Sequence, residues 1–297
     1  MLKRRAIKKI LITTLSMFII LTIYTVPMIS KKQEKVLRTN FEMGEITGLQ
    51  SLTIYLLNNK NYFVKTEILV DVGKEKKIEK MIQYLKTDNE EVPIGLNGYL
   101  PKKVKLLNAI LKDQELTLNF SKEFLNPKVE EKVISGIVYS SLEQDNIKNV
   151  SFQVEGKALE KYQKLTKEIG INKEYFLSSR KDIQKIVIYY LDKTNTYYVP
   201  ITKYINDNRE KIEIVVEELR KTHKDLISLE NIHTELLSYK EMEDVLFLNF
   251  NEYLLEENEE AQEKLLQSIA YSVFDNYDVG MVMLEVNGKS VKYFHRK

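Results

Sequence analysis

Cysteine and tryptophan are absent from the 297 residues, and histidine occurs only as His223, His233 and His295. Without cysteine there is no disulfide, thiolate nucleophile, zinc-thiolate or iron–sulfur site, and no N-terminal Cys to carry a lipid. A metal cluster or nucleophile triad needs histidine beside a specific partner. His223 and His233 stand ten apart among Asp225, Glu230 and Glu235, with no usual ligand spacing, and read as solvated polar residues. His295 lies in a basic tail and is expected to be exposed. No P-loop, Gly-rich dinucleotide fingerprint or Gly-x-Ser-x-Gly occurs. No residue is assigned a catalytic, cofactor-binding or metal role.

Acid is missing from the first 30 positions, where Lys3, Arg4, Arg5, Lys8 and Lys9 cluster. Setting those five cations aside leaves 40 basic against 43 acidic residues, a net of −3. A mildly acidic body lacks the basic surface that displaces counterions from phosphates, which excludes nucleic acid as a partner. From Ile10 to Ile29 twenty residues run without a charge, close to the length a helix needs to cross a membrane. Ile10, Leu11, Phe18, Ile19, Ile20, Leu21 and Ile29 are the anchor positions. No small-x-small cleavage pattern closes the run, so it is read as an uncleaved signal anchor, with the N-terminus inside and the rest extracytoplasmic. Hydrophobic content of 43% then suffices for packed cores beyond it.

Those cores are predicted from an internal repeat. Leu52 to Leu57 (LTIYLL) matches Ile186 to Leu191 (IVIYYL) at an offset of 134, both alternating as strands. Tyr62-Phe63-Val64 then matches Tyr197-Tyr198-Val199. Ile78, Met81, Ile82 and Leu85 share one helix face, as do Ile212, Val215, Val216 and Leu219. LTLNF, ending at Phe120, matches LFLNF, ending at Phe250, and Val133 to Leu142 matches Leu265 to Phe274 at 132. Each unit reads strand, strand, helix, strand, strand, helix, strand. The expected fold is α+β: two tandem repeats, each with two helices on one face of a mostly antiparallel sheet. The boundaries are a basic tip and anchor (1–30), a stalk (31–50), a first domain (51–157), a connector (158–184) and a second domain (185–297). In the connector, Leu159, Tyr162 and Leu165 predict a short helix ending near Gly170, acting as a hinge or a packed bridge.

Gly95 to Leu125 resembles the central motif of the GerM family of sporulation and spore germination proteins. Its Leu-Pro step is Leu100-Pro101, its Ser and Phe are Ser121 and Phe124, and the closing V-x-G is Val154 and Gly156. The second copy lacks the Leu-Pro step and has Asn251 in place of Ser121, so the motif's contribution is expected to be lost there. The resemblance implies a role in the spore envelope, engulfment or germination, a fold akin to the ring-building modules of secretion-type channels, and no enzymatic activity. Family members are often lipoproteins; here a spanning helix has to do the anchoring.

Carboxylates offer no better chemistry. Asp88, Glu90 and Glu91 occupy a loop, Asp113 and Glu115 flank a turn, and Glu256, Glu257, Glu259 and Glu260 precede or open a helix, where negative charge is favourable in itself. The expected function is a scaffold that binds envelope or sporulation proteins through sheet edges or helix faces. The alternative is a peptidoglycan-binding module using Tyr55, Tyr189, Tyr197 and Tyr198, although aromatic residues equally suit strands. Residues 31–181 hold 26 basic and 21 acidic groups and residues 182–297 hold 14 and 22, a net of +5 against −8. Such opposed halves predict either packing against each other within the chain or head-to-tail self-association.

Overall fold

The computed structural model describes residues 49–71, 76–125, 131–175, 183–221, 223–227, 233–255 and 258–296. The anchor residues Ile10, Leu11, Phe18, Ile19, Ile20, Leu21 and Ile29, and the stalk up to residue 48, lie outside the described residues. Among the described residues no helix is long and apolar enough to cross a membrane.

The first repeat runs β1 (Leu49–Asn58), β2 (Phe63–Asp71), α1 (Lys77–Tyr84), β3 (Leu96–Asn97), β4 (Leu106–Lys112), β5 (Glu115–Phe120), α2 (Glu131–Leu142), β6 (Asn149–Val154) and β7 (Lys157–Ala158). After β8 (Glu174–Tyr175), the second runs β9 (Gln184–Asp192), β10 (Tyr198–Ile205), α3 (Lys211–Arg220), β11 (Leu226–Ile227), β12 (Leu236–Met242), β13 (Val245–Phe250), α4 (Glu259–Asn276), β14 (Met281–Val286) and β15 (Lys289–His295). The two repeats thus share one element order. Their opening turns are built alike: Asn58 Oδ1 accepts the amides of Lys60 and Tyr62, and Asp192 Oδ1 accepts those of Thr196 and Tyr197.

The α+β character is as expected; the sheet arrangement differs. Neither repeat keeps its strands in a sheet of its own. The hairpins β1–β2 and β9–β10 join through β2 and β10 into one seven-stranded sheet, ordered β11-β9-β10-β2-β1-β3, with β8 on β10. The rest of each repeat forms a separate four-stranded sheet, β4-β5-β6-β7 and β12-β13-β14-β15. In these the central pairs, β5 with β6 and β13 with β14, are parallel, because a helix carries the chain back across the sheet between them. An isolated two-stranded hairpin is marginal in water, and pairing the two hairpins removes that weakness. Alternating burial identifies a strand's two faces but not its neighbour, so this pairing has no signature in the hydrophobic pattern.

The residues predicted for the core are in it. Leu52, Ile54, Leu56, Ile186, Ile188, Tyr190, Met81, Ile82, Ile212, Val215, Ile137, Val138, Ile269 and Ala270 are buried. Ile78 packs, partly buried, against the same core as Ile212.

No α-helix forms among the described residues of the connector. It makes 3-10 turns at Glu160–Tyr162 and Lys167–Ile169, ending at Gly170 with φ +72°. Its backbone is committed elsewhere: Leu159 N–H reaches Phe152 O, and Leu165 exchanges both bonds with Val150. It is a packed bridge. β15 is a further strand absent from the predicted unit, and the Asn287-Gly288 dipeptide that turns into it, with φ +49° and +75°, is a strong hairpin signal.

Candidate functional site

A cluster of half-buried charged side chains lies where the halves meet. Lys65 of β2 pairs with Tyr198 of β10, and the neighbours one step inward, Val64 and Val199, are each other's repeat equivalents. The halves are therefore related by an approximate two-fold axis at this point of the sheet. On either side of it the same residues recur: Tyr55 and Tyr189, Glu143 and Asp275, Tyr139 and Tyr271, Ser140 and Ser272. The two tyrosine hydroxyls meet across the axis at 2.9 Å. Tyr189 donates to Asp275 Oδ2 at 2.8 Å, leaving its oxygen to accept from Tyr55, whose single proton is shared with Glu143 Oε1 at 3.1 Å.

Two lysines balance the two carboxylates. Lys65 Nζ lies 2.8 Å from Glu143 and 4.4 Å above the Tyr271 ring. Lys167, from the connector, sits between Glu143 at 3.0 Å and Asp275 at 2.6 Å. Burial pushes the Glu143 carboxyl up, but Lys167 and Lys65 outweigh it and hold the group below the usual carboxylate range. Burial works against the Lys167 ammonium too, and Asp275 and Glu143 hold it above the usual lysine range. Burial, followed by the nearby carboxylates, pushes both tyrosine hydroxyls well up. A strongly held carboxylate is a poor general acid and a neutral phenol a poor nucleophile at neutral pH. The arrangement is chemically a clamp.

The clamp is extended by Asn172, whose Nδ2 donates to Phe63 O and Pro200 O, both at 2.8 Å, while Oδ1 accepts Phe63 N–H at 2.8 Å. One side chain thus bridges β2 and β10 where their direct ladder ends. Where the two-residue strands β11 and β3 leave the outer sides of β9 and β1 uncovered, helices bond to them. Along α4, Asn276 bonds both Val187 N–H and O, Ser272 accepts Tyr189 N–H at 2.9 Å, and Ser268 donates to Tyr189 O. Along α2, Ser140 accepts Tyr55 N–H at 2.9 Å and Gln144 donates to Thr53 O at 2.7 Å. Polar residues one helical turn apart stand in for a neighbouring strand. At the equivalent of Ser268 stands Gly136, where a Cβ would strike the rings of Phe63 and Tyr99.

The histidines do not converge. His223 is half-buried and bonds Glu174 at 2.8 Å, beside the buried pair Lys203–Glu218 at 2.7 Å; it is a packed residue, not the solvated one expected. His233 is exposed beside Tyr253, and His295 is exposed on β15 against Tyr293. Among the described residues no group of three His, Asp or Glu could hold a metal. Asp88, Glu90 and Glu91 are exposed, Glu91 lying 3.8 Å from Lys80. Asp113 occupies a positive-φ turn position, and Glu115 accepts from Ser151. Glu259 and Glu260 open α4 behind the Asn258 cap, while Glu256 and Glu257 lie outside the described residues. Tyr55 and Tyr189 are fully buried and so cannot stack on a sugar; Tyr197 and Tyr198 are half-buried.

The motif residues shape the chain. Leu100 is buried, with its N–H on Leu85 O and its own O accepting Thr87 N–H, and Pro101 O closes a turn onto Val104. Phe124 is buried and stacks on Phe120 at 4.4 Å and Phe152 at 5.8 Å. Val154 leads into a two-residue turn, Glu155-Gly156, both at positive φ, and Asn119 Oδ1 accepts Gly156 N–H at 3.0 Å. Asn249 does the same for Gly288 at 2.8 Å. Ser121 Oγ accepts Lys105 N–H, and Asn251 Oδ1 accepts Glu235 N–H, each at 3.1 Å. The replacement by Asn251 therefore preserves the contact that was expected to be lost.

The four-stranded sheets, by contrast, face outward. Leu107, Ile110 and Leu111 on β4, and Leu237, Tyr239 and Met242 on β12, are exposed along the edge strands. On one face of the second sheet Phe247, Met283 and Tyr293 form a cross-strand row; the first sheet has Thr117 and Ser151 at the matching places, Ser151 being buried where its Oγ accepts Lys164 N–H at 2.9 Å. Paired repeat positions could have revealed Glu143 and Asp275 in the sequence. Lys167 and Asn172 stand in the connector, where no repeat flags them.

The match to known proteins follows this division. The family described as Germane, sporulation and spore germination, matches residues 53–160 and 187–292. The chain is 26% identical over 287 residues to the spore germination protein GerM of Bacillus subtilis (strain 168), spanning 88% of this chain and 78% of that protein. The solved tandem GerMN domains of the sporulation protein GerM from Bacillus subtilis superpose with a TM-score of 0.72 at 21% identity, covering 84% of this chain and 98% of theirs. The fold is thus that of tandem GerMN domains, and the chain belongs to the Germane family of sporulation and spore germination proteins.

Proposed function

We propose that the chain is a non-enzymatic scaffold of the sporulating cell's envelope, anchored by residues 10–29 with its bulk outside the cytoplasm. It serves engulfment, spore-envelope assembly or germination by holding other envelope proteins on its outer sheets. The observation that carries this reading is the opposition of inside and outside. The charges between the halves are matched in the clamp and those of Lys203 and Glu218 against each other, whereas the edges of β4 and β12 point backbone donors and acceptors outward beside exposed apolar side chains. An edge of that kind takes up an extended segment of a partner.

Photo-crosslinking in a sporulating host tests it. A crosslinker at position 110 or 237 is expected to give defined adducts with envelope proteins, and one at the exposed position 83 of α1 is not. Equal labelling from all three positions, or turnover of peptidoglycan by the purified protein, would sink the scaffold. The second reading, a peptidoglycan-binding module, draws on the exposed ring of Tyr293 in its row with Phe247. Sedimentation with purified sacculi that Tyr293→Ala abolishes would favour it.

A further inference from the structure

We infer that one partner of these edges is a second copy of the chain, joined head to tail with β4 of one copy antiparallel to β12 of the next. The inference rests on the scaffold reading and names a partner for its surface. Within the chain the halves already join by antiparallel pairing of equivalent strands, with Val64 and Val199 flanking the axis. β4 and β12 are also equivalent strands; each has seven residues, a register shift near its start, and no strand on its outer side among the described residues.

Charge selects both the occupant and the direction. Lys102, Lys103, Lys105 and Lys112 are exposed along or beside β4, and Glu235, Glu241, Glu243 and Asp244 along or beside β12. Set antiparallel with the equivalent residues Asn108 and Ser238 opposite, β4 brings Lys105 to Glu241. Lys102 and Lys103 then approach Asp244 and Glu243. In this alignment Ala109 and Ile110 meet Leu237 and Leu236. Parallel pairing would instead set Asp113 against Glu243. Pairing β12 with itself would set Glu235 against Glu241, and pairing β4 with itself would gather Lys105 and Lys112 at the same ends. Like charges opposite one another are unfavourable in the first two of these, and the third crowds lysines at each end with no carboxylate of β4 to balance them.

The absence of cysteine makes the test clean, since the only thiols are those introduced. Full-length chains carrying Asn108→Cys and Ser238→Cys are co-produced in membranes with distinct tags and oxidised. The mixed disulfide is expected to exceed either homotypic adduct by about tenfold, to fall by a similar factor with Lys105→Glu, and to return when the partner carries Glu241→Lys. Light scattering of the detergent-solubilised wild type is expected to show assemblies at low salt that dissociate at high salt. Equal homotypic and heterotypic yields, or a monomer at both salt concentrations, overturns the inference. If envelope adducts from positions 110 and 237 persist in that case, only self-pairing is lost; if they vanish too, the edge reading fails with it.

Discussion

Asn172 shows how much of the molecule can hang on one side chain. Its amide makes three hydrogen bonds to the backbones of two different strands, and its own backbone sits at φ +44°, a region asparagine tolerates better than most residues. Asn172→Ala removes all three bonds, leaves backbone groups of Phe63 unpaired and adds backbone strain. A loss of roughly 2–3 kcal/mol is expected, read from the denaturant midpoint at unchanged slope. A change below about 0.5 kcal/mol would show that the two hairpins hold together without it.

Among the elements, the helices that close the central sheet do two jobs. One face of α4 buries Leu266, Ile269 and Ala270, while Ser268, Ser272 and Asn276 bond the edge of β9. Asn276→Leu keeps the volume but strands the N–H and O of Val187, and should cost about 2 kcal/mol; Gln267→Leu on the same helix should cost little. Equilibrium unfolding of the two variants separates the cases. Helix and strand periods made these elements legible in the sequence, because Ile212, Val215 and Leu219, or Leu116 and Leu118, fall inside at the spacing of their own geometry. Strand partners were not legible, since an inward Ile54 is compatible with any neighbour. The connector misled for a related reason: Leu159, Tyr162 and Leu165 have helical spacing, yet their backbone is needed by β6. Of the clamp, Tyr55 and Tyr189 stand out in the sequence only as aromatic residues of strands, because their burial depends on which strands adjoin.

At the scale of the whole molecule, a sheet shared by both repeats predicts unfolding in one step. Calorimetry on residues 48–297 should show one transition whose calorimetric and van't Hoff enthalpies agree; two resolved transitions would contradict the shared sheet. That transition should depend on pH through the clamp. Glu143 is held low, so its contribution is complete above the ordinary Glu value of about 4.3 and fades as pH falls through the lower folded value. Lys167 is held high, so its contribution is complete below about 10.4 and fades as pH rises through the higher folded value. Stability should be level from about pH 5 to 10, and Glu143→Gln should flatten the acid limb; an acid limb unchanged by that substitution would remove Glu143 as its source. The meeting of Val64 with Val199 carries a historical consequence. A lone ancestral unit would have carried a bare β2 whose natural complement was the same strand of a sister molecule, and its association would have varied with abundance. Fusion in tandem made that encounter unimolecular, at an effective concentration fixed by the tether. Each half was then free to drift, which is how Thr117 and Ser151 came to stand where the other half carries Phe247 and Met283.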